Sequence, residues 1–241
     1  PAPHPFPEPT VPVEGRATVR RGEGRRRVPA GVAPDSPLAG RHGRLAASPS
    51  KARSMESCPA AAQLARTLAD LVPEARLEAR PLPAVPELRL WLLGEDLPRG
   101  PLPHDVAEAV VARPPYWAFC WASGQALARR ILDAPELVAG CTVLDFGAGS
   151  GVAGIAAARA GAARVIACDE DPVALAACVA NATLNGVALE TAAELSSVGP
   201  VDVVLVADVL YDPANLPLLD ALLARDARIL LADSREIGRA H

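Results

Sequence analysis

From Thr142 onward, short apolar runs alternate with segments whose apolar residues recur at helical spacing. This alternation constrains the fold more than any other feature of the chain. The runs Thr142–Phe146, Arg164–Cys168, Val201–Val206 and Arg228–Leu231 read as strands, with a weaker one at Ala188–Ala192. Between them, Val152–Ala160, Pro172–Leu184 and Leu216–Leu223 read as helices. Gly161 stops the first helix, Pro172 suits the first turn of the second, and Asn185-Gly186 closes it. Strands apolar on both faces and separated by helices build a parallel sheet covered on both sides. The expected fold is a doubly wound, mainly parallel α/β sheet over 114–241. Such sheets hold ligands at the carboxyl ends of their strands, near the point where the strand order reverses.

Ahead of the sheet, residues 55–113 predict a small cap. Leu64, Leu68 and Leu71 mark an amphipathic helix from Pro59. Strands are expected near Arg76–Arg80 and Glu87–Leu93, and a helix over His104–Ala112 that ends before Pro114-Pro115. A further helix spans Gly124–Leu132, closed by Pro135. Residues 1–54 are rich in Pro, Arg, Gly and Ser and show no periodicity, as in a disordered extension. Met55 is the only methionine, so the segment before it also reads as upstream sequence translated ahead of the true start. An organelle transit peptide is a rival reading, but the prolines at 1, 3, 5, 7 and 9 oppose the amphipathic helix it needs.

Charge narrows the range of partners. Residues 1–54 hold ten Lys and Arg against four Asp and Glu, a net +6, which leaves −10 on the rest of a chain whose total is −4. A body that acidic repels phosphate, so nucleic acid is a poor partner and a protein a better one. No apolar run reaches the roughly 20 residues that cross a bilayer. The longest, Val201–Leu210, carries Asp202 and Asp208. With no secretory signal pattern, the expected location is the cytoplasm, or the mitochondrial matrix in a eukaryote. The five cysteines are scattered and form no CxxC pair, which predicts buried thiols and no metal site.

Four features carry chemistry. Asp145-Phe-Gly147-Ala-Gly149-Ser-Gly151 ends the first strand of the sheet. Its glycines allow a tight turn and close approach of a ligand, and the next helix aims its positive N-terminal end there. Asp169 ends the second strand, where a carboxylate accepts both hydroxyls of a ribose. Gly149-Ser-Gly151-Val-Ala-Gly154 also satisfies GxGxxG, with Asp169 twenty residues beyond, so spacing alone admits a nicotinamide dinucleotide. Asp145 ahead of the glycines, suited to a positively charged amino group, weighs against that oxidoreductase reading. The third feature is Asp208-Val-Leu-Tyr211, just past the Val201 strand. The fourth is Tyr116-Trp117-Ala-Phe119-Cys-Trp121, which holds four of the eight aromatic residues. It reads either as a core staple or as an aromatic wall that favours cations.

Taken together, PPYWAFCWASGQALARRIL, the glycine-turn segment and ADVLYD resemble the electron-transfer-flavoprotein beta-subunit lysine methyltransferases. These are class I, seven-strand, Rossmann-like enzymes that use S-adenosyl-L-methionine (SAM). The resemblance covers roughly 85–235. It implies that Asp145, Gly147, Gly149, Gly151 and Trp121 contact SAM and that Asp169 takes its ribose. It further implies that Tyr116 and Trp117 face the substrate, that Asp208 and Tyr211 act at the target lysine, and that the electron transfer flavoprotein beta subunit is a candidate partner. Alternatives are another amine or protein side chain as acceptor, or a SAM-binding fragment without activity. Two departures stand out: Ala122-Ser-Gly124 replaces the family's proline-glycine pair, and Asp233–His241 departs from the family's closing strands. The second predicts a sheet that lacks its last strands.

Overall fold

The first described helix owes its start to Pro59, whose missing N–H costs nothing where no helical partner exists. This is α1 (Pro59–Leu71), which buries Ala61, Leu64 and Leu68. The computed structural model describes residues 58–96, 100–210 and 215–233. Strands β1 (Leu77–Pro81) and β2 (Arg89–Leu93) form an antiparallel hairpin, with Leu77 opposite Leu93. Sequence pattern places β2 from Glu87, but Leu82 and Leu88 close a turn there (Leu82 N–H to Leu88 O, 3.2 Å) and the ladder begins at Arg89. Helix α2 (His104–Ala112) has no buried residue. Helix α3 (Ala122–Asp133) buries Leu127, Ala128 and Ile131.

The strand–helix alternation folds as expected. The remaining elements are β3 (Thr142–Phe146), α4 (Val152–Arg159), β4 (Arg164–Cys168), α5 (Pro172–Leu184), β5 (Glu190–Ala192), β6 (Val203–Ala207), α6 (Leu216–Leu223) and β7 (Arg228–Ala232). The order across the sheet is β5-β4-β3-β6-β7, and every pair is parallel. The chain runs outward from β3 to β5 and then returns to lay β6 on the other side of β3. The switch point therefore lies between β3 and β6. Strand β6 begins at Val203 because Asp202 is used to seal its entry: its side chain accepts the Thr142 N–H at 2.7 Å, and its N–H donates to Thr142 O at 2.9 Å. This is the Rossmann-like arrangement inferred from the alternation. Residues 1–54 and 234–241, on which the readings of a spurious N-terminus and of missing last strands rest, fall outside the described residues.

Burial on both faces follows from alternation within each strand. Val143, Val165, Val203 and Leu205 join α3 and α4 in one cluster. Leu144, Ile166, Val204 and Val206 join Leu222 of α6 in another. On the cap side, α1 and the hairpin pack on α5 through Leu64, Leu68, Trp91, Ala174 and Ala177. Among the described residues, no helix is long and apolar enough to cross a membrane.

The sheet core sets the stability. Leu205 is fully buried at the centre of β6, whereas Val111 on α2 is 80% exposed. Leu205→Ala is expected to cost about 2–5 kcal/mol, transfer and cavity combined. Val111→Ala is expected to stay within about 0.5 kcal/mol. Urea unfolding of the two variants measures the contrast.

Candidate active site

Beyond Phe146 the chain turns through three residues with positive φ: Gly147 at 65°, Gly149 at 52° and Gly151 at 78°. Side chains rarely adopt such angles. Space is also short at two of them. A Cβ on Gly147 would lie 2.7 Å from Val209, and one on Gly151 about 3.1–3.2 Å from Cys178. The Gly147 and Ala148 N–H groups both donate to Cys168 O, at 2.9 and 3.2 Å, which ties the turn to the end of β4. Helix α4 starts at Val152, and its N-terminal end faces this turn. Gly151 at its cap position has no side chain to offer a first-turn N–H.

Asp145 supplies that missing acceptor from β3. Its Oδ2 accepts the Gly154 N–H at 2.8 Å, and the residue is only 3% exposed. Burial pushes its carboxyl up to about 7; the Gly154 bond opposes the rise and nearby Asp169 adds to it. Sequence reading turns Asp145 toward a cofactor amine. In the structure its Oδ2 bonds α4, because a carboxylate at a helix N-terminus meets unpaired N–H groups and a favourable dipole. Gly154 is small for the same reason. A Cβ there would meet Asp145 Oδ2 at 2.9 Å and Val165 at 3.2 Å. The last glycine of the apparent dinucleotide pattern is thus explained by packing alone.

Asp169 stands at the end of β4. Its Oδ2 accepts the Gly149 N–H at 2.8 Å and its Oδ1 the Asp171 N–H at 3.0 Å. A carboxylate oxygen accepts two bonds, so each retains capacity for a further donor. Asp171 in turn caps α5, accepting the Val173 N–H at 2.8 Å.

The aromatic block divides. Trp117 is 3% exposed and packs in the core with Leu64, Leu68 and Trp91. The core-staple reading describes this residue, whose ring is almost wholly enclosed. Tyr116, Phe119 and Trp121 are 47%, 38% and 52% exposed. The Phe119 and Trp121 rings lie 5.8 Å apart, tilted by 31°, a favourable aromatic pair. Gln125 of α3 holds the segment in place: its Nε2 donates to Cys120 O at 3.1 Å, and its Oε1 accepts the Ala84 N–H at 3.2 Å. Beside it lies a cleft of about 200 Å³, lined by Arg80, Leu82, Leu92, Phe119, Cys120 and Gln125.

Cys120 links the features. Burial pushes its thiol up to about 12, against a hydrogen bond to Ser150 of the glycine turn, while the Asp208 carboxylate adds to the rise. Cys120 is thus tied to the turn through Ser150 and lies within electrostatic reach of Asp208. Sequence reasoning passed over Cys120, whose only signal is its place inside the aromatic block. Asp208 follows β6 with φ 53°, the single described non-glycine residue at positive φ. Its N–H donates to Ala232 O at 3.1 Å, and its neighbour Val209 packs on Gly147. Tyr211, the other residue of the Asp208-Val-Leu-Tyr211 motif, lies outside the described residues.

Comparison with known proteins agrees with the motifs. The family model of ribosomal protein L11 methyltransferase (PrmA) matches residues 126–229. The electron transfer flavoprotein beta subunit lysine methyltransferase of Xenopus laevis is 41% identical over 155 residues, covering 63% of this chain and 62% of that protein. The protein of the same name from Rattus norvegicus is 36% identical over 157 residues, covering 61% and 60%. The chain resembles the class I methyltransferases. It spans about three fifths of the length of these relatives. Among solved structures, the ribosomal protein L11 methylase of Lactobacillus delbrueckii subsp. bulgaricus is 27% identical, with a TM-score of 0.41 and coverage of 47% of this chain and 61% of that one.

In this methyltransferase-like turn, the raised Asp145 carboxyl makes stability depend on pH. The folded chain holds a proton on Asp145 up to about 7, whereas an unfolded aspartate releases it near about 3.9. Folding therefore binds a proton between these values, so this contribution is full below about pH 4 and is lost as pH rises toward 7. Asp145→Asn removes the titration and keeps an acceptor for Gly154. The stability of the variant relative to the wild type is expected to grow from pH 4 to pH 7 in denaturation curves. A constant difference would place the titration elsewhere.

Proposed function

We propose that this chain is a SAM-dependent methyltransferase that transfers a methyl group to the side-chain amine of a protein lysine. The observation that carries this is the meeting of the glycine turn with Asp169, which bonds it from the end of β4, and with the segment of Asp208 just past β6, whose Val209 packs on Gly147. The names of the relatives support the reaction class. On this reading residues 55–113 are the cap and 114–241 the cofactor-binding domain.

The cradle fits the cofactor. Side chains are excluded from the turn at Gly147 and Gly151, so a ligand meets bare backbone there. Asp169, with acceptor capacity left on both oxygens, would take the ribose hydroxyls. Gly147, Gly149 and Gly151 would hold the methionine portion, with Asp145 fixing the helix behind them. Trp121 would line the site. SAM supplies, when bound, a methyl group activated by a sulfonium.

The protein's own residues would do the rest. A lysine amine attacks only when neutral, and its ordinary pKa is about 10.4. Aromatic surroundings exclude water and lower that value. Asp208 would orient the amine and offset the positive charge that develops as the new N–C bond forms. Holding amine and methyl in line is then most of the catalysis. Tyr116, about half exposed, would contact the protein substrate, and Tyr211 would assist Asp208. The electron transfer flavoprotein beta subunit is the partner proposed, on the names of the relatives.

Tritiated SAM with purified electron transfer flavoprotein tests the reading, the labelled residue being found by mass spectrometry. Label on lysine is expected, and label confined to another side chain or to small molecules would refute it. Asp208→Asn, which tolerates the positive φ, should lower turnover about 100-fold or more with the affinity for S-adenosylhomocysteine little changed. Asp169→Ala should weaken that affinity about tenfold or more.

A further inference from the structure

Asn181 lies in the last turn of α5, in a helix whose buried positions are otherwise Ala174, Ala177, Cys178, Ala180 and Ala182. It is fully buried. Its Oδ1 accepts the N–H of Trp91 in β2 at 2.7 Å. Its Nδ2 donates to the carbonyl of Ser150, inside the glycine turn, at 2.9 Å. One side chain thus bonds two separate pieces of backbone, one in the hairpin and one in the turn.

Asn185, one helical turn on, supplies a contrast. Its Oδ1 accepts the Arg89 N–H at 3.1 Å, and its Nδ2 donates to Arg89 O at 2.6 Å. It grips β2 much as a neighbouring strand would, and neither of these bonds involves the turn. Anchoring the hairpin therefore does not require Asn181 to reach Ser150. Ser150 is itself 6% exposed, and its hydroxyl bonds Cys120 of the aromatic segment. Inside a protein a misplaced amide strands both of its partners unpaired, so the two bonds stand or fall together.

We infer that Asn181 is a positioning residue that couples the β1–β2 hairpin to the glycine turn, so that docking of the hairpin and filling of the turn by cofactor favour each other. The inference rests on the reading of that turn as the cofactor cradle. The coupling is reciprocal, as any linkage of two sites must be. The hairpin also lines the cleft beside Phe119 and Cys120, so whatever enters the cleft bears on the turn through the same amide.

Asn181→Asp keeps the acceptor that faces Trp91 and replaces the donor that faces Ser150 with an oxygen. Asn185→Asp weakens the hairpin anchor and removes the Asn185 Nδ2 bond to the Asn181 carbonyl (2.8 Å), but changes no group that bonds the turn. Calorimetry with S-adenosylhomocysteine is expected to show binding about tenfold weaker in Asn181→Asp and within about twofold of wild type in Asn185→Asp. Amide exchange over 147–154 should quicken in the first variant only. Unchanged binding and unchanged turn exchange in Asn181→Asp would overturn the coupling and leave Asn181 a packing residue. If Asn181→Asp does not fold, the wild type decides. Saturation with S-adenosylhomocysteine should slow exchange at 89–93, and unchanged exchange there would refute the inference. If the wild type does not bind S-adenosylhomocysteine at all, the reading of the cradle fails. The comparison of turn exchange in the two variants still judges the role of Asn181.

Discussion

One carboxylate–amide bond, from Gly154 N–H to Asp145 Oδ2, holds the centre of this domain together. It joins the middle strand of the sheet to the first turn of α4 at the place where the strand order reverses. Everything at the site is referred to that junction. The turn can run through positive φ because α4 is held from behind. Gly154 must lack a side chain because the carboxylate fills its space. The arrangement has a cost, since a carboxylate almost wholly removed from water resists ionisation. The domain accepts that cost to fix the helix end that faces the glycine turn.

Around this junction the site is assembled from parts far apart in the chain. Asp169 ties the turn to β4, Val209 packs against Gly147 from just past β6, and Cys120 brings in the aromatic segment. Asp208 sits at a backbone angle that aspartate tolerates better than most residues. Non-glycine residues held in this region cluster at functional positions, where the surrounding structure over-determines them. Here the surroundings are the Ala232 carbonyl on one side and the packed Val209 on the other.

Much of this was legible in the sequence, and the division has a physical basis. The bounds of β3, β4, α5 and α6 follow from period and punctuation, which are local. The glycine turn announces itself because few other sequences tolerate its backbone. The partner of Asp145 is nine residues away, and only the packing of α4 on the sheet makes the two meet. Trp117 and Trp121 look alike in the chain. A single turn of 3-10 helix at Tyr116–Ala118 sends one into the core and leaves the other 52% exposed. Asn181 gives only a faint signal, a polar residue among alanines, and its two partners lie 90 and 31 positions away.

The strand order has a consequence for how the chain is made. β3 pairs with β4 early, but its other edge waits for β6, whose Val203 lies opposite Val143. Those partners are sixty residues apart. At synthesis rates of roughly 5–20 residues per second, several seconds pass between them. During that time the apolar edge of Val143 and Leu144 is open to any other strand. The nascent chain therefore passes through an interval in which the central strand of its sheet is its most adhesive one, and a chaperone would find it there.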